Sequence, residues 1–141
     1  MDDSSLMIRD FRHWSLFLNE DQRYLGRLCL VAKRADALDF LEMTSAEREE
    51  FFLAGLEARR ALEVLFSPDL MNYASLGNSY RHLHVHLIPR YAGPRSFQGV
   101  TFTDPCWGRH YEPRKETGRL DPACFRAIVA ALRAEMDPGQ G

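Results

Sequence analysis

The 141-residue sequence is long enough for one ordinary domain and too short for two comfortable ones. Its 45% hydrophobic and 27% charged residues fit a folded protein and exclude disorder or a fibrous repeat. With 20 acidic against 18 basic residues, a formal net charge of −2, there is no overall basic field for a nucleic-acid duplex, although a local basic cluster can still hold a small phosphate compound.

One domain is expected over 1–141, with residues 1–8 and 137–141 as flexible ends. His13 to Asn19 reads as a strand, followed by the turn residues Glu20, Asp21 and Gln22. A second strand is expected over Arg27 to Lys33, with Gly26 at its entrance, where backbone often approaches something closely. Thr44 and Glu47 have capping-box spacing and start a helix that runs to about Phe66. Phe51, Gly55, Ala58, Leu62 and Leu65 form its apolar face, and the charges between them read as a solvated face.

Leu70 to Ser75 reads as a short strand and Leu76–Ser79 as a loop. His82 to Ile88 alternates strictly and reads as a strand stopped by Pro89, and Phe97 to Phe102 as a further strand. Asp104 to Leu120 looks irregular. Asp121-Pro122 caps a last helix with Phe125, Ile128, Val129 and Leu132 as its stripe. The order of elements predicts an α+β fold, two principal helices on a mainly antiparallel five-stranded sheet. No apolar run approaches the ~20 residues that span a bilayer. The acidic Met1–Ser5 start is not expected to act as a signal peptide, and Cys29, Cys106 and Cys124 include no C-x-x-C pair. A cytoplasmic protein with reduced thiols and no membrane partner is expected.

Three of the five histidines stand in His82-Leu83-His84-Val85-His86. Period-two alternation sends all three imidazoles to one face, and Leu83, Val85 and Leu87 to the other. Strand rise puts the outer pair about 13 Å apart and each about 6.6 Å from His84. Three ligands so spaced do not converge on one ion, and a zinc site would need help from elsewhere. The pattern looks more like an anion site. Gly77, Asn78 and Ser79 supply donors for phosphate oxygens, facing a neutral imidazole able to attack phosphorus.

His82-Leu83-His84-Val85-His86-Leu87-Ile88 is a full match to the signature of the histidine triad (HIT) family of nucleotide hydrolases and transferases. Asn72 through Asn78 and Pro89-Arg90-Tyr91 resemble its bacterial branch labelled diadenosine tetraphosphate hydrolase-like. The resemblance runs from about Phe11 to Tyr111. It implies a HIT-like fold and a hydrolase that cleaves a nucleoside phosphoanhydride or phosphoramidate through a nucleotidyl-phosphohistidine. A nucleotidyltransferase or phosphorylase, and a non-catalytic nucleotide-binding protein, are the alternatives.

By position, the resemblance makes His84 the nucleophile, flanked by His82 and His86. It makes Asn19 a ribose contact, Gly77, Asn78 and Ser79 the phosphate loop, and Asn72 a further phosphate or leaving-group contact. Two positions depart from the pattern. Arg27 stands where many members carry a fourth histidine, and can neutralise phosphate charge, while Ala35 replaces a loop histidine. With that fourth histidine absent, His86 or water is the expected proton donor. No cofactor is required, and Mg²⁺ can ride on a polyphosphate substrate. Leu16 and Leu18 are offered as base-pocket residues, with core the equal alternative. Trp107 is placed near the site, at a partner subunit or in packing. A homodimer is implied.

Overall fold

The computed structural model describes residues 6–113 and 120–137. The ends expected to be flexible at 1–5 and 138–141, and 114–119 of the stretch expected to be irregular, lie outside the described residues. The core sheet has five antiparallel strands in the order β1 (Met7–Asp10), β2 (Trp14–Leu18), β3 (Leu28–Ala32), β5 (His84–Arg90) and β4 (Leu70–Ala74). Helices α1 (Ser45–Phe66) and α2 (Pro122–Met136) cover one face. The expected architecture is therefore present.

Its fifth strand is a different one. Met7–Asp10 pairs with β2, although its first two residues fall in the stretch expected to be frayed. Phe97 to Phe102 is not one strand. It folds as a separate hairpin, β6 (Arg95–Phe97) and β7 (Val100–Phe102), turned at Gln98 and Gly99 with both φ positive. That pair has the left-handed geometry of a tight hairpin turn.

Pro89 does not stop the histidine strand. β5 continues through it to Arg90, pairing with Met71 of β4. β3 pairs only as far as Leu87, so on that side Pro89 has no ladder bond to lose. The strand also starts later than expected, at His84. Just before it, the Leu83 N–H goes to the Ala37 carbonyl.

Both halves of the α1 capping box form: Glu47 N–H donates to Thr44 Oγ1 (3.1 Å) and Thr44 N–H to Glu47 Oε1 (2.8 Å). Ala54, Ala58, Ala61, Leu62 and Phe66 are its buried side, packed on Leu16, Leu18, Leu28 and Leu30. The opposite side is not simply charged, because Phe52, Leu53, Leu56 and Val64 are exposed. Ile128, Val129 and Leu132 of α2 enter the same core.

Gly26 lies where β3 begins beneath α1. Its φ is +85°, and a Cβ there would stand 2.6 Å from Leu62 Cδ2 and 3.1 Å from Phe66 Cδ2. Leu62 is fully buried, so shifting its Cδ2 disturbs the core packed around it. Gly26→Ala therefore combines backbone strain with overpacking and should cost about 2–4 kcal/mol in a urea titration. A loss under half a kilocalorie would contradict this close approach.

Candidate active site

Residues facing each other across strands share a face of the sheet. His86 faces Cys29 and Ala74, His84 faces Val31, and Phe17 continues the Cys29 row. The histidines therefore project opposite the helices. Leu83 and Leu87 lie in the main core as expected. Leu16 and Leu18 also belong to that core and not to a pocket beside the histidines. A second, smaller cluster of Leu6, Phe17, Cys29 and Val31 forms the apolar part of the histidine face. Of the two alternatives left open for Leu16 and Leu18, base pocket or core, the structure has core.

The ring of His84 is 8% exposed and its Nδ1 lies 2.8 Å from the His82 carbonyl. A carbonyl only accepts, so the proton of neutral His84 sits on Nδ1 and Nε2 keeps its lone pair. His82 stands just outside the strand, its Nε2 donating to the Ala32 carbonyl at 2.5 Å. His86 packs edge-on against His84, with ring centroids 5.0 Å apart. Its Nδ1 is 3.4 Å from Arg27 Nη2, and arginine only donates, so neutral His86 carries its proton on Nε2. The two adjacent rings thus present opposite chemistry, an acceptor nitrogen on His84 and a donor on His86. Burial, then the Arg27 charge, then His84 push the His86 pKa down to about 4.

Arg27 is buried where β3 begins. It lies near Asp21, with Nη1 4.0 Å from Oδ2, and under the Tyr111 ring at 5.4 Å. Asn19 is buried beside it, and the Asn19 N–H donates to the Arg27 carbonyl. Asn19 Oδ1 accepts from the Asp21 N–H (2.8 Å), which makes an Asx turn of the expected Glu20–Gln22 corner. Gln22 closes that corner, donating to the Asn19 and Arg27 carbonyls and accepting from the Gly26 N–H.

The residues expected to form a phosphate loop are not buried as this set is. Asn78 and Ser79 are exposed, and Gly77 adopts φ +68°. Ser75 Oγ donates to the His84 carbonyl at 3.0 Å, which ties the loop to the strand. Asn72 shares the histidine face, but its Oδ1 accepts from Arg90 Nη1 (2.9 Å). Arg90 is in turn paired with buried Asp104 at 2.8 Å. Trp107 is exposed and packs into no core.

Tyr80 was missed by sequence reasoning. Its ring lies 5.1 Å from that of His84 and 6.0 Å from that of His82. No periodicity marks it, because it sits in the loop. Cys29, Cys106 and Cys124 are free and buried, and burial pushes the Cys29 thiol up to about 12, which suits packing and not nucleophilic chemistry. Among the described residues no group of three His, Cys, Asp or Glu side chains is placed to hold a metal ion, and no helix is long and apolar enough to cross a membrane.

The depressed His86 pKa has a consequence for stability. Unfolded, His86 takes its proton near its ordinary value of 6.5, whereas folded it waits until about 4. The stability associated with the neutral ring is intact above pH 6.5, declines as pH falls toward 4 and levels off below. Relative to His86→Asn, the wild type should lose up to about 3 kcal/mol over that interval in urea titrations. Parallel curves for the two proteins would show that the ring is not held neutral.

The profile of the HIT domain matches residues 3–93. Among solved structures, a histidine triad protein from Bradyrhizobium japonicum is 26% identical with a TM-score of 0.70, covering 92% of this chain and 89% of that one. A histidine triad protein from Sinorhizobium meliloti 1021 is 23% identical with a TM-score of 0.77, covering 92% and 88%. A hypothetical histidine triad nucleotide-binding protein from Sulfolobus tokodaii strain7 is 16% identical with a TM-score of 0.70, covering 94% and 83%. The latter two likenesses speak for the fold alone. No curated protein matches significantly.

Proposed function

This chain belongs to the HIT domain family, and on that premise we propose that it is a nucleotide hydrolase, of the diadenosine tetraphosphate hydrolase-like kind, with His84 as nucleophile. The observation that carries this reading is the hydrogen bond from His84 Nδ1 to the His82 carbonyl, which leaves Nε2 as an attacking lone pair. The name of the Sulfolobus relative, a nucleotide-binding protein, agrees with it.

In the first step Nε2 of His84 bonds to phosphorus and the bond to the leaving oxygen breaks, its electron pair departing with the leaving group. Positive charge grows on the imidazole and is met by the His82 carbonyl. Negative charge on the non-bridging oxygens is met by His86 Nε2–H and by donors from Gly77, Asn78 and Ser79. Water then attacks phosphorus, the N–P bond breaks and His84 is regenerated, with one proton released. Asn19 and Asn72 serve the nucleotide and leaving group through their amides, and Phe17 and Val31 take the pocket role first offered to Leu16 and Leu18. Mg²⁺ arrives with a polyphosphate substrate.

A ring that is neutral down to about pH 4 offers a hydrogen bond but does not surrender a proton readily. A leaving amine needs that proton, whereas a leaving phosphate does not. This favours a phosphoanhydride, of the dinucleoside polyphosphate type, over a phosphoramidate.

Diadenosine tetraphosphate should be turned over with kcat/KM at least about tenfold above that for adenosine phosphoramidate, roughly 1.4 kcal/mol in transition-state energy. His84→Ala should abolish an acid-labile, alkali-stable adduct and lower kcat by about 10³-fold or more. Rate acceleration by added phosphate would identify a phosphorylase. Tight nucleotide binding with neither adduct nor turnover would identify a binding protein.

The same reading extends to a homodimer. β4 is an edge strand, and beside it a hollow of about 650 Å³ is lined by Phe52, Leu56, Tyr73 and Val85. Edge strand and exposed apolar residues together fit a two-fold copy of the same surface. Sedimentation should give a dimer for the wild type and a monomer for Leu56→Glu; a wild-type monomer at high concentration would rule the dimer out.

A further inference from the structure

Arg27 is the least satisfied charged group in the described part of the molecule. It is 5% exposed, and its Nε and Nη1 are buried without a hydrogen-bond partner. Nearby Asp21 is already held by Arg23, through Nε at 3.0 Å and Nη2 at 2.7 Å. A guanidinium stripped of water with two nitrogens unpaired costs stability, and an apolar side chain of similar volume in its place would cost less. Packing therefore does not account for it. The one side-chain hydrogen bond it makes is directed at the Nδ1 of His86.

That contact constrains His86 in three ways. Nδ1 must accept, so the ring cannot take the other tautomer. Nε2, across the ring from Nδ1, must point away from Arg27. A second proton would put N–H against N–H and cation against cation. The remaining groups around His86 do not impose this. His84 lies on the same strand with centroids 5.0 Å apart, Cys29 faces it from β3, Ala74 faces it from β4, and Asp21 and Tyr111 lie against Arg27.

We propose that Arg27 is a positioning residue that locks His86 as the Nε2–H tautomer, aimed at the phosphoryl oxygens, and that it does not itself bind substrate. The proposal rests on the reading of His84 as a nucleophile toward phosphorus. It differs from the substrate-binding role that the chemistry of arginine suggests for Arg27, neutralising phosphate charge. Tyr111, lying over the guanidinium, holds the lock closed. Arg23 anchors the segment that carries Tyr111, donating to the carbonyls of Glu112 and Pro113.

The test is histidine ¹⁵N NMR of the whole chain across pH, combined with steady-state kinetics, on wild type, Arg27→Met and Arg27→Lys. In the wild type, His86 should show a single Nε2–H tautomer that resists protonation below pH 5. In Arg27→Met the tautomers should mix and the midpoint should rise, though not fully to 6.5, because burial persists. The same variant should melt no lower than wild type, and its kcat should fall about 10- to 100-fold while KM changes little. Arg27→Lys, which keeps a donor and the charge, should recover part of kcat. A raised KM at unchanged kcat would make Arg27 a substrate contact and overturn the proposal, as would an unchanged His86 spectrum in Arg27→Met. If Arg27→Met does not fold, the wild-type spectrum alone decides, because a proton on Nδ1 of His86 is incompatible with the lock. A wild type with the expected spectrum and no turnover on any nucleotide supports the lock and sinks the hydrolase reading instead.

Discussion

The site depends on one short contact, the Nδ1–H of His84 to the carbonyl of His82, two residues back. Such a bond contributes only about 1 kcal/mol to net stability. Its chemical effect is larger, because it decides which nitrogen of the imidazole carries the lone pair. The carbonyl is available because the chain is not yet in the sheet at His82. Leu83 bonds to Ala37, the ladder of β5 begins one residue later, and the His82 ring is pinned to Ala32. The late start of the strand is therefore what lets His82 serve His84.

Two buried arginines show how differently one residue type can be used. Arg90 donates to both oxygens of Asp104, to Asn72 and to the Cys106 carbonyl, while Asp104 also accepts from the N–H groups of Tyr91 and Cys106. Burial alone would raise the Asp104 carboxyl, yet these bonds hold it below its ordinary range. This network is satisfied and fastens Asp104 and Cys106 to the end of β5. Arg27 is left partly unpaired against His86, whose ring packs on that of His84. Buried charge that is fully paired builds structure, whereas buried charge left partly unpaired costs stability.

The sheet separates the two kinds of work. Its helix-covered face carries nearly all of the large apolar core, so the histidine face needs only the small Leu6, Phe17, Cys29 and Val31 cluster. Polar and titratable side chains on that face can then be chosen for chemistry. Gly26 sits at the seam, letting α1 descend onto the start of β3 next to Arg27.

Much of this was legible in the order of residues, where the cause is local. Thr44 with Glu47 and Asp121 with Pro122 start helices by satisfying their own first turns, and alternation alone put His84 and His86 on one face. Period two also said that Leu16 and Leu18 share a face, but not which one, and Phe17 proved to be the neighbour of the histidine row. Strand termini at His84 and past Pro89, and the hairpin at Gln98-Gly99, turned on which strand lies alongside. Arg27 beside His86, 59 residues apart, and Tyr80 against His84 came only from the tertiary structure. Short-range hydrogen bonds and side-chain parity are set by neighbours along the chain, so the sequence alone determined where the two helices start and that His84 and His86 share a face. Register between distant strands and the desolvation of a charge arise only when the sheet closes, so only the fold could decide which nitrogen of each histidine is held by which partner.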